Sequence, residues 1–301
     1  MIERTACAAQ VKAWQGRLEE ALAERLPATD LEPTRLHAAM RYSVLNGGRR
    51  VRPLLLFGTA RAVGLSEAQV EAAACAIEFA HAYSSVHDDL PAIDDDDVRR
   101  GRPTCHRAYD EGTAVLVGDA LQSLAFQLLA SDTALPAAPL VRLRLISLLA
   151  EAIGASGLAG GQSIDVAAQG QRLSVPEMDA MYARRTGALI RASVLMAAAC
   201  APEAAAHLRE ALGAFATPLG LAFQIQDDLL NASSHAGTGG ETPRPDRASR
   251  GRAAYPAVLG LAAAQQRVRL LHSQALDALR PFGAGADPLR GLAEWLLVRS
   301  T

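Results

Sequence analysis

The sequence predicts an all-α protein, and three observations carry that prediction. Half of the 301 residues are hydrophobic but only 4% are aromatic, so the apolar content is mostly Ala and Leu, which favour helices and suit strands poorly. Apolar side chains recur at helical spacing along most of the chain, between short breakers. No stretch alternates apolar and polar residues for long enough to support a sheet, and no segment repeats at a fixed period. The same composition excludes disorder, collagen and a small disulfide scaffold. Thirty basic and 32 acidic side chains leave a net charge of −2, which argues against nonspecific nucleic-acid binding. Lys12 is the only lysine, so nearly all the positive charge is arginine.

Val11, Trp14, Leu18, Leu22 and Leu26 mark an amphipathic helix over residues 9–26. Helices over 34–46 and 53–63 follow, parted by the Gly47-Gly48 pair and Pro53. A long helix over 67–90 runs into an acidic cluster, after which Pro103 and Gly112 mark turns. Residues 116–131 and 140–153 are predicted helical, and Gly157–Gly161 separates the latter from the next segment. Further helices are predicted over 177–200, 203–233 and 255–279. Residues 232–254, rich in Gly, Ser, Pro and Arg, break the pattern. A structureless stretch of that length is unusual inside a compact protein. Since only about 45 residues follow, too few for an ordinary separate core, a domain linker is disfavoured, and it is predicted to be a mobile flap over a site, with plain disorder the alternative.

The cysteines, at 7, 75, 105 and 200, form no C-x-x-C pair and are expected to be reduced structural thiols. The N-terminus has early acidic residues and no apolar run of signal-peptide length. Charges such as Asp119 interrupt the longest apolar stretches, so no membrane insertion is expected and the protein is predicted to be cytoplasmic.

Chemistry concentrates in Asp88-Asp89-Leu90-Pro91-Ala92-Ile93-Asp94-Asp95-Asp96-Asp97, six carboxylates in ten residues. Convergence of Asp88, Asp89 and Asp94 would raise at least one pKa unless cations neutralise them. The flanks are apolar, a poor setting for a solvated acidic turn. Mg²⁺ is the natural candidate, since it accepts a few carboxylates together with phosphate oxygens, and the residues of a calcium loop are missing. A second acidic pair, Asp227-Asp228, lies in an apolar helical segment, with Gln224 four residues before Asp228 and Asn231 four after Asp227. Carboxylates there are costly unless paired or metal-bound, so either an arginine partner or a metal is required. Three arginine groups supply the other half: Arg49, Arg50 and Arg52 beside Gly47-Gly48, then Arg99, Arg100 and Arg102, then Arg184 and Arg185 before Thr186. Arginine suits bidentate phosphate binding. Together these describe a site for a diphosphate head carrying an apolar tail.

The strings HAYSSVHDDLPAIDDDDVRRGRPT, GDALQSLAF, GGQSIDVAAQG, RRTGALIRAS, FQIQDDLLN and AYPAVLG, in this order, resemble the short-chain trans-prenyltransferases, or polyprenyl synthetases, and among them the bacterial farnesyl diphosphate synthases. The resemblance spans nearly the whole chain. It implies one domain over 1–301, an all-α bundle of isoprenoid synthase type around a deep cavity, and a homodimer. It further implies a transferase of isoprenoid biosynthesis that condenses isopentenyl diphosphate with dimethylallyl or geranyl diphosphate to give farnesyl diphosphate. By the resemblance, Asp88, Asp94 and Asp227 bind Mg²⁺, three ions per site, and Asp89 and Asp228 complete the two catalytic motifs. Arg99, Arg185, Thr186 and Gln224 match positions that hold the allylic diphosphate, and Arg49, Arg52, His81 and Arg100 match the isopentenyl diphosphate site. Tyr83, five residues before Asp88, with Phe79 and Ser84, is expected to form the floor that limits product length.

Departures from the family pattern are also visible. Arg49, Arg185 and Arg252 stand where lysine is usual, in keeping with a chain nearly devoid of lysine. Asn231 replaces a final aspartate, and Glu241 falls where a diphosphate-binding lysine is typical. A member making a C10 or C20 product, or a noncatalytic partner subunit of the same fold, is the alternative. A terpene cyclase is disfavoured by the arginine and histidine set for a second diphosphate.

Overall fold

The computed structural model describes residues 2–135, 137–201, 206–234, 252 and 254–298. Its elements are almost entirely helical: α1 (Ile2–Arg25), α2 (Thr34–Val44), α3 (Val51–Ala62), α4 (Glu71–Asp88), a two-stranded hairpin of β1 (Val98–Arg99) and β2 (Arg102–Pro103), α5 (Cys105–Ala108), α6 (Glu111–Ser131), α7 (Pro139–Ile153), α8 (Leu158–Ala167), α9 (Val175–Tyr182), α10 (Ala188–Ala199), α11 (Ala206–Ser234), α12 (Tyr255–Leu259), α13 (Leu261–Ala278) and α14 (Asp287–Val298). The predicted all-α class is the observed one. Most of the predicted flap, including Glu241, lies outside the described residues.

Several boundaries differ from the sequence reading for local reasons. Gly112 marks no turn but sits in the first turn of α6, because Asp110 caps that helix by accepting the Thr113 N–H at 2.7 Å. Gly160 and Gly161 lie inside α8, with Gly157 just before it. The predicted 177–200 helix is interrupted by a π-helical turn, Ala183–Gly187. The 255–279 helix breaks at Gly260, whose φ of 80° a side-chain-bearing residue rarely adopts. Arg100 and Gly101 both have positive φ, 52° and 71°, which is the geometry of a two-residue hairpin turn.

α4 lies at the centre of the bundle. Residues 72 to 80 are all buried, and the helix packs most extensively against α6, with α3 and α1 beside it. A second apolar cluster, with Leu55, Val194, Phe215, Leu219 and Leu289, ties α3, α10, α11 and α14 together. A third, around Met181, Tyr182, Ile225 and Tyr255, joins α9, α11 and α12. By length and composition α6 and residues 139–167 are apolar enough to cross a membrane, the charge at Asp119 notwithstanding, as the core helices of a soluble protein also can be. In the fold α6 turns Ala114, Val117, Leu121, Ala125 and Leu128 into the core. The four cysteines are free thiols, Cys75 and Cys105 buried.

Arg50 opens α3 in the left-handed region, φ 53°. Its buried guanidinium donates to Glu78 at 2.7 Å, to Glu19 at 2.7 and 3.0 Å and to the Val44 carbonyl at 2.7 Å. It therefore does not belong with Arg49 and Arg52 as an anion ligand; it fastens α3 to α1 and α4. Arg50→Met is expected to lower unfolding stability by about 3–5 kcal/mol, because Glu78 would stay buried without its partner. Urea denaturation followed by circular dichroism measures this, and a loss under about 1 kcal/mol would contradict the structural role.

Candidate active site

α4 ends at Asp88, and the acidic run folds back on it. The Asp94 N–H donates to the Asp88 carbonyl at 2.9 Å, the Asp96 N–H to the Asp89 carbonyl at 3.1 Å, and the Asp95 N–H to the Leu90 carbonyl at 3.1 Å. This closure sets the Asp94 carboxylate beside that of Asp88. Burial pushes the Asp88 carboxyl above the usual range; Arg185 pulls it back and Asp94 pushes it up again. Asp89 turns the other way. Its side chain, 4% exposed against 21% for Asp88, takes a fork of bonds from Arg99 at 2.7 to 3.0 Å. The hairpin that carries Arg99 thus points its guanidinium at the motif.

Opposite this loop, the π-helical turn aims Arg185 inward; π turns are common at functional sites. Arg185 Nη2 stands 3.7 Å from both Asp88 Oδ2 and Asp94 Oδ2, and Nη1 3.5 Å from Asp165 Oδ2. Its Nε donates to the Gln162 side-chain oxygen. Gly161 lets α8 approach this closely, since a Cβ there would collide with the Arg185 backbone. Arg252, 2% exposed, donates to Asp165 at 2.8 Å and to the Ile93 carbonyl at 3.0 Å, and its Nη2 forms an ion pair with Asp94 at 2.6 Å.

The second motif divides in the same way as the first. Asp227 is 42% exposed and meets Arg49 Nη2 at 3.2 Å, with the guanidinium over the Phe223 ring. Asp228 is buried and accepts from Tyr182 Oη at 3.1 Å, the Tyr255 N–H at 3.1 Å and Gln224 Nε2 at 3.0 Å. Gln224 in turn accepts from the Thr186 hydroxyl at 2.7 Å. So the first aspartate of each pair opens to the site and the second holds the wall.

Arg49, Arg52, His81 and Arg100 form the basic side of the site. Arg52 Nε is buried without a hydrogen-bond partner. Burial brings its guanidinium down to about 10 against the pull of Glu78; Arg49 lowers it further, while Asp227 and Asp88 oppose. The Arg52 guanidinium therefore lies in the field of both aspartate motifs. Burial, then the charges of Arg52 and Arg100, hold the His81 imidazole neutral, well below its usual range. Arg100 donates to Asn46 Oδ1 at 2.8 Å and to the Gly47 carbonyl. Gly48, φ 119°, has its α-face covered by that guanidinium, so a side chain there would displace it.

Below Asp88, α4 places Tyr83, Ser84 and Phe79 in the interior. The Tyr83 ring meets His87 edge-on at 5.9 Å, and burial, with Asp88 adding, pushes its hydroxyl up to about 12. Phe79 is fully buried. Ser84 spends its hydroxyl on the His81 carbonyl at 2.9 Å.

The structure thus brings Asp88, Asp94, Arg99 and Arg185 together, and Asp227 with Arg49, Thr186 with Gln224 and Asp228. The sequence reading assigned no role to Gln162, Asp165, Tyr182 or Tyr255. The spacing of Gln162 and Asp165, three apart on one helix face, was the available signal for the first two. The donor set fits a hard divalent ion, since the open groups are carboxylate oxygens and the nearest are mutually repelling. Asp95, Asp97 and the buried His106 also place ligating atoms within 4.8 Å of one another, but Asp97 is paired with Arg107 at 2.8 Å.

The family model described as polyprenyl synthetase matches residues 33–278. The chain is 38% identical over 295 residues to the farnesyl diphosphate synthase of Escherichia coli K12, covering 97% of this chain and 98% of that one. It is 43% identical over 269 residues to the farnesyl diphosphate synthase of Geobacillus stearothermophilus, covering 89% of each. Its structure resembles that of an FPP/GFPP synthase from Zymomonas mobilis with a TM-score of 0.87 at 36% identity, over 98% of this chain and 99% of that one.

Proposed function

Because the chain belongs to the polyprenyl synthetase family, a family of metal-dependent prenyltransferases, we propose that it condenses isopentenyl diphosphate with dimethylallyl and then geranyl diphosphate to give farnesyl diphosphate. One observation carries the reading. The opened carboxylates of the two motifs, Asp88 with Asp94 and Asp227, flank a half-buried arginine, Arg52, whose buried Nε is unpartnered and which feels both motifs.

In this reading Asp88, Asp94 and Asp227 hold Mg²⁺, three ions per site. The bound ions supply Lewis-acid stabilisation of a departing diphosphate. Arg99 and Arg185 add fixed positive charge to that leaving group, and Thr186 and Gln224 line its berth. Arg49, Arg52, neutral His81 and Arg100 bind the second diphosphate, setting the isopentenyl double bond against the allylic carbon. Its attack forms the new C–C bond, and the proton then lost passes to the released diphosphate. The apolar walls keep water from quenching the allylic cation. Arg49 and Arg185 keep the charge of the lysines usual at those positions, and Asn231, one turn beyond Asp227, keeps an oxygen.

We place this reaction in a cytoplasmic homodimer. Val115 and Leu116 on α6, with Leu140 and Leu143 on α7, are large exposed aliphatic side chains on neighbouring helices, and they suit burial against a second copy.

The test supplies the protein with Mg²⁺, isopentenyl diphosphate and an allylic diphosphate of five, ten or fifteen carbons, then sizes the products. Elongation of the first two to C15, with little extension of the third, is expected. No elongation at all would refute the synthase, and a C10 or C20 end product would refute the farnesyl assignment.

A further inference from the structure

The β1–β2 hairpin carries Arg99 and Arg100 to the site on strands of only two residues each, and a lone two-stranded hairpin is marginal at best in water. Its pairing works against it as well. Arg99 and Arg102 are direct cross-strand partners, and like charges set opposite each other repel. Asp89 takes the first of them through the fork of bonds to Arg99. Tyr42, on α2, takes the second. Its half-buried ring faces the Arg102 guanidinium, with Cζ 4.4 Å from the centroid, and its hydroxyl donates to the Pro103 carbonyl at 2.7 Å. The ring stands edge-on to Tyr109 at 5.7 Å. Arg35, two turns before Tyr42 on the same face of α2, covers the Tyr109 ring at 5.5 Å and pairs with Asp110 at 2.6 Å. Four residues beyond Tyr42, Asn46 accepts from Arg100 at 2.8 Å, and the Gly47 carbonyl accepts from it too.

We infer that Tyr42 is a positioning residue for isopentenyl diphosphate: it pins β2, so that the hairpin turn sets Arg100 in place beside Asn46 and Gly47. Thr104 ties the base of the hairpin to the Asp96 and Asp97 carbonyls at 2.6 and 2.9 Å. From there to the tip, β1 is held by Asp89 through Arg99, and β2 is held by Tyr42 through Arg102 and Pro103. Without the tyrosine the second strand loses its outer support, and the tip swings while Arg99 keeps its own carboxylate. The φ of Arg100, 52°, sharpens the dependence, because left-handed backbone is unfavourable for arginine and persists only where its surroundings enforce it. Arg102 is thus spent on an aromatic face rather than on an anion. The last turn of α2 and the residues just after it hold β2 at Tyr42 and the tip at Asn46, which places Arg100 alongside Arg49 and Arg52.

The inference rests on the proposed reading of Arg100 as a ligand of isopentenyl diphosphate, and the experiment separates the two. KM for each diphosphate substrate and kcat are measured on the full chain at saturating Mg²⁺. Tyr42→Leu removes ring and hydroxyl and is expected to raise KM for isopentenyl diphosphate at least about fivefold, with kcat and the allylic KM within about twofold of wild type. Tyr42→Phe keeps the ring and is expected to raise it about two- to threefold. In an Arg100→Met background, Tyr42→Leu should add less than about twofold, since the residue it acts through is already gone. A smaller rise in Y42L overturns the inference, as does a loss that falls mainly on kcat. A larger added step in the R100M background overturns it too, because a general loosening of the fold would add to the loss of Arg100. If R100M itself leaves KM for isopentenyl diphosphate unchanged, the reading of Arg100 fails and the inference falls with it. A raised KM in R100M beside an unchanged Y42L overturns the inference alone. Should Y42L fail to fold by circular dichroism, Y42F decides: a rise of about twofold or more that disappears in the R100M background supports the inference, and a smaller or persistent one overturns it.

Discussion

Asp88→Ala is expected to lower kcat by about a thousandfold while leaving KM for isopentenyl diphosphate within about threefold. The half-buried carboxylate lies beside Asp94 and is pushed above its usual pKa range, a state that is costly without a cation to share the charge. Its removal leaves Arg185, 3.7 Å away, free to settle on Asp94 and so to cancel a second ligand. The isopentenyl side of the site, built on Arg49, Arg52, His81 and Arg100, is untouched, which is why the loss should fall on kcat. Steady-state assays at saturating Mg²⁺ measure both constants. A fall of less than tenfold would remove Asp88 from the proposed metal set. Asp89→Ala is the informative companion, because that side chain faces away and holds Arg99 by a fork of short bonds.

That division of labour within each Asp-Asp pair marks the limit of what the sequence showed. Repetition of the pair in two apolar settings was enough to call for metals or arginines. Adjacent aspartates look alike in a sequence, however, and only the fold decides which one faces the site. The loop bonds from Asp94 and Asp96 back to Asp88 and Asp89, and the Tyr182 and Tyr255 contacts of Asp228, are long-range or conformational facts with no local pattern. Arg50 shows the same limit from the other side. It sits between Arg49 and Arg52 in the chain, yet the turn at positive φ sends it into the core to Glu78.

Helices were legible where apolar spacing is unambiguous, as in α1 to α4, and less so where glycine is read as a breaker. In α8 glycine serves close packing rather than a turn: Gly161 lets Arg185 approach, and the helix around it carries Gln162 and Asp165. Reading Gly157–Gly161 as a separator therefore hid both the helix and the buried acid on it. The π-helical turn at Ala183–Gly187 was equally hidden, since it runs on from α9 into α10 and differs from them in hydrogen-bond register. What the sequence did carry was the order of the charged motifs along the chain, and that order was enough to place the fold and the chemistry.

Tyr83→Ala is expected to shift the main product from C15 to C20. α4 rises about 1.5 Å per residue, so Tyr83 lies about 7 Å below Asp88 and Phe79 about 13 Å below it. Both rings are buried and belong to the main core. A growing chain anchored by its diphosphate at Asp88 would meet Tyr83 first. The ring is held edge-on against His87 within the main core, so it does not swing aside without cost. Replacing it by alanine opens a space comparable to one isoprene unit and leaves Phe79 as the next floor, which predicts one added unit rather than an open-ended series. The large-to-small change should also destabilise the fold by about 3–5 kcal/mol when the space is empty, and part of that loss should return when a C20 diphosphate is bound, because the ligand then fills the hole. Product sizing by chromatography, together with Tm measured with and without geranylgeranyl diphosphate, tests both halves. An unchanged C15 product would show that the chain does not run down this face of α4, whereas products well beyond C20 would show that Phe79 does not stop it.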